Sequence, residues 1–448
     1  MNSTIFREYD IRGKVPDDLN EETVYELGLF IGTYYRSRGA EKITLGRDCR
    51  LSSPPLHDSL LKGLIESGMR VTDIGMVPTP LLYFSLFQLD VHGGIQITGS
   101  HNPPEFNGFK VCLNKTTIFG REIQEIREIA ESGKVTRGKG QVEEKDVTVP
   151  YIENILKGIR RGPEQKKVVV DAGNGVGGLV APQLYERMGV EVVRLFCEPD
   201  GRFPYHHPDP TIPEYLNHLS ERITETDADL GIAFDGDADR IGVVSDRGKI
   251  IWGDQLMIVF SRELLKRHPG AKIIGEVKCS QVLFDDITSH GGKAIMWKAG
   301  HSLIKGKMKE EGALFAGEMS GHLFFADRYF GYDDAIYAGA RLLEILALNK
   351  KGMADLLADV PVLVNTPEIR LDCPDEKKFG VVARLAAEFK KEYQVIDIDG
   401  ARVLLDGGWG LIRASNTQPV LVLRFEAKDR ERLEEIRRIF MEKLNRVM

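Results

Sequence analysis

Short apolar runs alternate with amphipathic stretches through most of this chain, and this alternation constrains its fold more than any other feature. Residues 42–45, 71–74 and 94–97 are predicted strands, and residues 56–67 are a predicted helix between the first two. The same rhythm of strand, glycine-rich or polar loop and helix returns further along the chain. The later predicted strands are 166–170, 190–196, 230–234, 272–277, 293–297 and 313–316. Such alternation is typical of α/β architecture, so we predict a repeated α/β fold.

The last block of the chain has a different pattern. A predicted helix at 377–391 is followed by several predicted strands between residues 395 and 426. A closing helix carries its apolar residues on one face, namely Leu433, Ile436, Phe440 and Leu444. Because the strands cluster here instead of alternating with helices, we predict a smaller α+β domain.

The length of the chain requires several domains. A chain of 448 residues is too long to bury a single core, and the usual domain size suggests three or four domains. Polar or turn-forming stretches at 131–145, 246–249 and 361–367 separate the patterns. We therefore predict four domains, with the bounds 1–150, 151–248, 249–362 and 363–448.

The composition argues against several classes of protein. The net charge of −7 and the lack of a basic stripe argue against a nucleic-acid-binding protein. No segment approaches the roughly 18 uninterrupted apolar residues of a membrane helix, and residues 1–13 carry no apolar signal core. The five cysteines are scattered without a Cys-x-x-Cys pair, so neither a zinc site nor a disulfide framework is indicated. We expect a cytoplasmic protein without a membrane partner, and its oligomeric state stays open.

Three carboxylates follow one of the predicted strands. Asp235, Asp237 and Asp239 come directly after the apolar run 230–234. If this loop stays extended, every second side chain points the same way, so the three carboxylates converge. Like charges at that distance repel unless a cation lies among them, and an all-oxygen set suits Mg²⁺. Arg240 follows at once and offers its guanidinium to phosphate oxygens.

A serine follows another predicted strand. In Thr-Gly-Ser-His-Asn-Pro at 98–103, Ser100 stands beside a glycine where its hydroxyl can be exposed. A free serine is a weak nucleophile that needs a base or a metal. Lys110 is close enough in sequence to supply charge or to accept a proton. The alternative is that Ser100 caps a turn, which serine at such places often does.

Two further loops carry groups suited to a phosphosugar. Arg-Ala-Ser-Asn-Thr at 413–417 is dense in hydrogen-bond donors and suits a phosphate, although it also suits a polar hairpin turn. Glu318 and Ser320 alternate with Met319, so both are candidates to bind sugar hydroxyls in one cleft. Lys298 and His301 end another strand, and His301 and His322 are equally compatible with purely structural roles.

Three familiar loop patterns compete with this interpretation. A calcium loop fails because Arg240 stands at its sixth position and Asp246 at its twelfth, where Gly and Glu are needed. Residues 173–178 fit the Gly-x-Gly-x-x-Gly pattern of dinucleotide-binding proteins, but Asp171 precedes them where a pyrophosphate would lie. The glycines at 133–140 approach a Walker loop without its Ser or Thr. Only the dinucleotide interpretation remains as a rival.

Five segments, taken in order along the chain, resemble the α-D-phosphohexomutase superfamily, and most closely its phosphomannomutase/phosphoglucomutase branch. They are Tyr-Asp-Ile-Arg-Gly at 9–13, the serine loop at 98–103, Asp-Gly-Asp-Ala-Asp-Arg at 235–240, Gly-Glu-Met-Ser-Gly-His at 317–322 and Arg-Ala-Ser-Asn-Thr at 413–417. The glycine-rich stretch at 173 also resembles the opening of the family's second domain, which removes the dinucleotide interpretation. The departures are small: Ala238 and Ala299 stand where Gly and Thr are common.

The resemblance implies a fold and an assignment of residues. The fold is three similar α/β domains with mixed sheets and a smaller C-terminal α+β domain, arranged around a central cleft. Ser100 carries the phosphoryl group and joins Asp235, Asp237 and Asp239 as a ligand of one Mg²⁺. The residues implied in catalysis are Arg12, His101, Lys110, His301 and His322. Those implied in substrate binding are Tyr9, Arg240, Lys298, Glu318, Ser320, Arg413, Ser415, Asn416 and Thr417.

The implied activity is the interconversion of hexose 1-phosphate and hexose 6-phosphate, with mannose, glucose or both as substrate. It would proceed through a phosphoserine enzyme and a hexose 1,6-bisphosphate, which also acts as activator. Phosphoglucosamine mutase is the alternative within the family, although Gly99 and Met319 differ from the letters common in that branch. Two further hypotheses are a Mg²⁺-dependent sugar phosphatase and a non-catalytic phosphosugar-binding protein. The general base stays open among Lys110, Arg12 and the histidines.

Overall fold

Four β-sheets with helices packed against them make up the chain. The computed structural model describes residues 1–415 and 419–447. The first three sheets contain both parallel and antiparallel strands, and the fourth is antiparallel. No helix in the described part of the chain combines the length and the apolar character needed to cross a membrane.

The first sheet has seven strands in the order β1-β5-β4-β2-β3-β7, with β6 beside β5. Its strands are β1 (Ile11–Lys14), β2 (Lys42–Arg47), β3 (Arg70–Met76), β4 (Gly93–Ile97), β5 (Phe106–Leu113), β6 (Thr116–Thr117) and β7 (Gln141–Glu144). Its helices are α1 (Glu21–Ser37), α2 (Ser53–Glu66), α3 (Thr79–Gln88) and α4 (Arg121–Ser132). Strand β2 runs parallel to β3 and β4, whereas β5 is antiparallel to β1 and β4.

The second sheet has the order β12-β11-β10-β8-β9. Its strands are β8 (Lys167–Asp171), β9 (Glu191–Leu195), β10 (Leu230–Phe234), β11 (Ile241–Ser245) and β12 (Ile250–Ile251). The helices of this part of the chain are α5 (Thr148–Gly158), α6 (Ala181–Met188) and α7 (Asn217–Thr226). Strand β10 is fully buried and pairs in parallel with β8 and antiparallel with β11.

The third sheet has the order β14-β13-β15-β16. Its strands are β13 (Lys272–Glu276), β14 (Lys293–Trp297), β15 (Phe315–Gly317) and β16 (Leu323–Phe325). The helices are α8 (Gly253–Leu265), α9 (Gln281–Ser289), α10 (His301–Glu311), α11 (Ala335–Asn349) and α12 (Met353–Leu356). Helix α11 packs on the second sheet and on α6, and Tyr185 donates a hydrogen bond to the Ile336 carbonyl at 3.0 Å.

The fourth sheet has the order β17-β22-β21-β20-β19, with β18 also beside β22. Its strands are β17 (Val364–Asn365), β18 (Ile369–Asp372), β19 (Gln394–Ile396), β20 (Ala401–Leu405), β21 (Gly408–Ala414) and β22 (Val420–Ala427). Two helices pack against it, α13 (Asp375–Phe389) and α14 (Arg430–Val447). The α+β prediction is confirmed, and the four predicted apolar residues of α14 are all buried.

The strands predicted with definite bounds are present, and their ends differ from the prediction by at most two residues. Strands β10 and β14 have the predicted ends, whereas β15 begins at Phe315 instead of residue 313. Loops that follow β4, β10, β13, β14 and β15 all leave the carboxyl end of a parallel-paired strand. This edge of an α/β sheet is where ligands commonly bind, because side chains there are not used up by the core. The fold therefore collects the predicted functional loops by its strand order.

Candidate active site

Ser100 lies against the carboxylate triad. Its Oγ donates a hydrogen bond to Asp235 Oδ2 at 2.7 Å, and its side chain is buried. The Ser100 backbone has φ 47°, a left-handed conformation that a non-glycine residue adopts only when its surroundings hold it there. The hydroxyl of Thr98 accepts from the Ser100 N–H at 2.8 Å. The loop between β4 and β5 thus aims the serine at the second domain.

The three carboxylates converge, and they do so through a tight turn instead of an extended loop. The N–H of Ala238 donates to the Asp235 carbonyl at 3.1 Å, and Ala238 has φ 59°. Asp235 Oδ1 also accepts from the N–H groups of Asp239 and Arg240, both at 3.1 Å. A carboxylate at the start of a turn can satisfy the free N–H groups ahead of it, which favours the turn over an extended strand.

The triad fits a divalent cation. One carboxylate oxygen from each of Asp235, Asp237 and Asp239 lies within 4.8 Å of the other two, and all three side chains are buried. Oδ1 of Asp237 and Oδ1 of Asp239 are buried and have no hydrogen-bond partner among the described residues. Burial and the charges of its two neighbours raise the pKa of the Asp235 carboxyl well above its usual range. A bound cation would relieve both the repulsion and the two unpaired oxygens.

Lys110 bridges two members of the triad. Its Nζ donates to Asp237 Oδ2 at 2.6 Å and also to Asp239 Oδ2. Burial lowers the pKa of Lys110, but the charges of Asp237 and Asp239 outweigh burial, and the pKa is raised above its usual value. Lys110 is therefore held as an ammonium ion, which suits a group that supplies positive charge better than a base.

His322 lies between a guanidinium and two carboxylates. Nε of Arg240 donates to His322 Nε2 at 2.9 Å, and since a guanidinium only donates, the proton of a neutral His322 lies on Nδ1. This Nδ1 lies 3.2 Å from Asp333 Oδ2 and 3.6 Å from Asp239 Oδ1. Asp239, His322 and Asp333 have the spacing of a metal site, but a protonated Nδ1 cannot bind a cation. The three residues form a polar cluster instead.

Asp333 lies close to His322, His301 and Lys305. It is fully buried, and its Oδ1 accepts from Lys305 Nζ at 2.9 Å. Nδ1 of His301 lies 3.6 Å from Asp333 Oδ2, and the rings of His301 and His322 stack at 5.6 Å between centroids. Burial, the largest effect, and the charge of Lys305 lower the pKa of His301 well below its usual range. Sequence analysis missed Asp333 because an acidic residue next to Asp334 at a helix start resembles an ordinary cap.

The predicted sugar-binding loop lies beside the loop after β14. Glu318 Oε1 accepts from the Gly300 N–H at 2.7 Å, and Glu318 is buried. Tyr9 of the first domain donates to the Ala299 carbonyl at 3.3 Å. Ser320 is half-buried on the same loop, whereas Lys298 is exposed and lies near Glu8. The structure therefore brings Tyr9 and Glu318 together and leaves Lys298 at the margin.

Arg413 approaches the same region from the fourth domain. Its Nε donates to Asp399 Oδ2 at 3.0 Å, and that oxygen also accepts from the Ala299 N–H at 3.1 Å. Burial lowers the pKa of Arg413, but Asp399 outweighs it and the pKa is raised. Ser415 is buried next to it on the chain. Of the predicted phosphate loop, Asn416 and Thr417 lie outside the described residues.

Lys278 was missed by sequence analysis. It follows β13, and its side chain is 13% exposed, with Nζ 3.3 Å from Glu368 Oε2. Burial lowers the pKa of Lys278, but the charges of Glu276 and Glu368 raise it above its usual value, while Arg413 is close enough to oppose them. The sequence offered one signal for Lys278: it directly follows a predicted strand, as four other predicted site loops do.

Arg12 and His101 occupy the first-domain side. Arg12 lies on β1, which pairs with β5, and its guanidinium binds Asp10. Nδ1 of His101 lies 3.1 Å from Ser100 Oγ. Burial, followed by the charge of Arg240, lowers the pKa of His101 well below its usual range, so the ring is neutral near pH 7.

The glycine-rich loop after β8 packs against the loop that carries the triad. Asp171 is fully buried, accepts from the Gly173 N–H at 2.8 Å and lies 3.0 Å from Nε2 of His206. A Cβ on Gly175 would come within 2.7 Å of the Gly236 carbonyl oxygen. The glycines therefore allow close packing against the triad loop, which gives them a structural reason.

Comparison with known proteins agrees with this geometry. Residues 3–137, 149–248 and 252–363 match the families described as phosphoglucomutase/phosphomannomutase alpha/beta/alpha domains I, II and III, and residues 368–443 match the C-terminal domain. The phosphomannomutase/phosphoglucomutase of Pseudomonas aeruginosa is 47% identical over 448 residues, covering 100% of this chain and 96% of the relative. A phosphoglucomutase of Neisseria gonorrhoeae is 47% identical over 441 residues, covering 97% and 95%.

A solved structure shows the same arrangement. The crystal structure of a phosphoglucomutase/phosphomannomutase family protein from Burkholderia thailandensis superposes with a TM-score of 0.95 at 43% sequence identity. The match covers 100% of this chain and 98% of that one. The four matched domains in order, the full-length relatives and this superposition agree on one conclusion: the chain belongs to the phosphoglucomutase/phosphomannomutase family.

Proposed function

We propose that this protein is a phosphohexomutase that interconverts the 1-phosphate and 6-phosphate of mannose, glucose or both. The observation that carries this proposal is the 2.7 Å hydrogen bond between Ser100 Oγ and Asp235 Oδ2, which places a nucleophile against a cation-binding triad. A full-length relative named phosphomannomutase/phosphoglucomutase and another named phosphoglucomutase support it. The site is divided among the segments 1–150, 151–248, 249–362 and 363–448, each of which contributes at least one loop.

We propose that Ser100 carries the phosphoryl group in the resting enzyme. The P–O bond to Ser100 breaks as a new P–O bond forms to the free sugar hydroxyl; the hydroxyl proton passes to a base, and the Ser100 oxygen takes up one proton in exchange. The product of this step is a hexose 1,6-bisphosphate, which reverses its orientation and returns its other phosphoryl group to Ser100. Atoms and charges balance, because each transfer exchanges one phosphoryl group and one proton.

The triad would hold one Mg²⁺ through Asp235, Asp237 and Asp239, and the ion would offset charge on the transferred phosphoryl group. Lys110 acts on the same charge from its fixed position, and positioned charge is a large term in phosphoryl transfer. Arg12 also supplies charge, because a guanidinium does not release its proton in a protein. Hexose 1,6-bisphosphate from solution would phosphorylate an empty Ser100 and so activate the enzyme.

We place the general base between His101 and His301. Burial lowers the pKa of both rings well below the usual histidine range, so both rings are neutral near pH 7 and each has a nitrogen lone pair. Lys110 donates to two carboxylates, and the lone pair of His322 Nε2 accepts from Arg240. His101 lies 3.1 Å from the oxygen that must gain and lose the phosphoryl group.

At the opposite side of the cleft, Arg413, Ser415, Asn416 and Thr417 would bind the phosphate that does not react. Lys278 would add positive charge beside this phosphate. Arg240 would bind the phosphate on the other side, next to the triad. Glu318 and Ser320 would accept hydrogen bonds from sugar hydroxyls, with Tyr9 and Lys298 at the margin. Because either phosphate must occupy the distal place in turn, a site made of donors suits the reaction better than a pocket shaped to one sugar.

The decisive experiment is a comparison of initial rates on glucose 1-phosphate, mannose 1-phosphate and glucosamine 1-phosphate with a trace of bisphosphate. We expect hexose 6-phosphate from the first two, no release of inorganic phosphate, and loss of activity with EDTA that Mg²⁺ restores. Glucosamine 1-phosphate as the best substrate would favour phosphoglucosamine mutase. Stoichiometric inorganic phosphate would favour a phosphatase. The expected cytoplasmic location stays a prediction.

The assignment of Ser100 is tested by Ser100→Ala. The variant should lose mutase activity and also the phosphate from its intact mass. Ser132→Ala is the matched control, since Ser132 is exposed at the end of α4. Activity of Ser100→Ala near the wild-type rate would contradict the assignment.

A further inference from the structure

Arg50 lies behind the loop that carries Ser100, and its guanidinium binds the backbone of that loop. Nη2 donates to the carbonyls of Ser100 at 2.7 Å and Asn102 at 2.6 Å. Nη1 donates to the carbonyls of Pro103 at 2.7 Å and Phe106 at 3.0 Å. One side chain therefore satisfies four carbonyls of an irregular segment between two strands. No motif or periodicity around residue 50 singles out this arginine.

The charge of Arg50 is buried. Its side chain is 1% exposed, and the nearest carboxylate, Asp48 Oδ2, lies 3.3 Å from Nε. Burial lowers the pKa of Arg50, against the charge of Asp48, yet a guanidinium remains charged under ordinary conditions. Asp48 Oδ2 in turn accepts from the Gly99 N–H at 3.1 Å. Arg50 thus binds carbonyl acceptors of the serine loop, and Asp48 binds an N–H donor of the same loop.

The guanidinium also fixes how closely the serine loop approaches the triad. A Cβ on Gly99 would lie 2.4 Å from Arg50 Cζ, so the loop backbone rests directly on the guanidinium. On the other side, a Cβ on Gly236 would lie 2.5 Å from the Ser100 carbonyl oxygen. The Ser100 carbonyl is therefore enclosed between Arg50 and the loop that holds Asp235. This enclosure holds Ser100 at φ 47° with its Oγ toward Asp235.

The second domain supports the same arrangement. A Cβ on Gly201 would lie 2.7 Å from Arg50 Cα, and the Phe203 ring centroid is 5.4 Å from the guanidinium carbon. His207 binds the carbonyl of His101 through Nε2. The loop around Gly201 therefore packs against Arg50, and His207 binds the next carbonyl of the serine loop. Arg50, the loop around Gly201 and His207 together form a two-domain clamp on the serine loop, with Arg50 at its centre.

We infer that Arg50 is a positioning residue that holds Ser100 in the geometry required for phosphoryl transfer. This inference rests on the proposed function. The guanidinium of Arg50 donates to four main-chain carbonyls of the loop that carries Ser100, so its loss should reduce kcat and spare substrate binding. A displacement of a reacting group by about 1 Å can cost about 100-fold in rate. We expect kcat to fall about 100-fold in Arg50→Gln, with KM within about threefold of wild type.

The test compares Arg50→Lys, Arg50→Gln and Arg50→Ala with wild type, using initial rates and thermal unfolding. Arg50→Lys keeps the charge, so its kcat should fall less than that of Arg50→Gln. Its kcat should still fall, because an ammonium group cannot span four carbonyls. In Arg50→Ala, millimolar guanidinium chloride should restore kcat by about tenfold or more, whereas equal sodium chloride should not. Arg202→Gln is the matched control, because Arg202 lies in the same clamp region with its side chain 73% exposed.

Each outcome bears on the inference. A folded Arg50→Gln or Arg50→Lys with wild-type kcat would overturn it, and so would a loss that appears mainly in KM. A fall in kcat that guanidinium does not reverse in folded Arg50→Ala would also overturn it. If Arg50→Ala does not fold, the kcat and KM of Arg50→Lys decide. Mutase activity absent from wild type and Arg202→Gln alike would refute the proposed function instead.

Discussion

Nε of Arg240 donates a hydrogen bond to Nε2 of His322, and the two atoms lie 2.9 Å apart. This contact determines which nitrogen of His322 carries the proton, because the guanidinium has no lone pair to offer. The remaining N–H faces Asp333 at 3.2 Å. His322 therefore lies between a cation on one side and a carboxylate on the other. In this state neither ring nitrogen has a free lone pair with which to accept the proton of the sugar hydroxyl.

We predict that His322→Gln lowers kcat about 10- to 100-fold, since a hydrogen bond to a charged group is worth about 1.5–3 kcal/mol. The shape of the pH–rate profile should stay as in wild type, because no proton-transfer group is lost. Initial rates between about pH 5.5 and 9 measure this, a range that spans the usual histidine pKa. Loss of one limb of the profile would instead identify His322 as the general base.

Lys110→Met should reduce kcat about 100- to 1000-fold, as expected when a fixed charge is removed from a developing anion. The half-saturating Mg²⁺ concentration should not rise, because Asp237 and Asp239 lose a competing cation and become more negative. Titration of the rate with Mg²⁺ measures both quantities. Lys115→Met is the control, since Lys115 is exposed on the turn after β5. A large rise in the Mg²⁺ requirement would show that Lys110 organises the triad.

Asp399→Asn should raise KM about tenfold with a smaller change in kcat. Asp399 joins Arg413 to the Ala299 N–H, so its charge orients a phosphate-binding residue and holds two domains together. A charge-assisted hydrogen bond of about 1.5–3 kcal/mol accounts for this size. The control is Asp397→Asn, whose side chain is 55% exposed and pairs with Lys390. Equal effects of both variants on KM would contradict the role of Asp399.

His206 should stabilise the fold in a pH-dependent way. Burial lowers its pKa, but the hydrogen bond and charge of Asp171 outweigh burial, and the net shift is upward. A pKa raised in the folded state contributes stability that is complete below the unfolded value of about 6.5 and is lost as pH rises through the folded value. His206→Gln should therefore lower the thermal midpoint more at about pH 6 than at about pH 9.

The control for this experiment is His268→Gln, because His268 is exposed after α8. Its midpoint should follow that of wild type at both pH values. A midpoint difference for His206→Gln that is equal at both pH values would mean that the neutral ring alone supports the loop, through packing on residues such as Tyr215.

Local sequence determined the elements and the residue types of the site. The apolar run before Asp235 makes a buried strand wherever it is placed, and the apolar stripe of α14 must face a core. Three closely spaced carboxylates require a cation or a counter-charge in any fold that buries them. Such statements depend on periodicity and on like-charge repulsion, both of which are properties of neighbouring residues.

The tertiary structure decided which distant groups meet. Arg50, Asp333 and Asp399 carry no local signal, because a lone Arg or Asp in a polar turn resembles many surface residues. Their roles arise from contacts with other loops, most of them far away in sequence or on a separate sheet. The turn at Asp235–Asp239 was likewise settled by backbone N–H groups that needed acceptors. Hydrogen-bond satisfaction and charge pairing in a buried site are properties of the whole fold, so they were decided only when the strands were brought together.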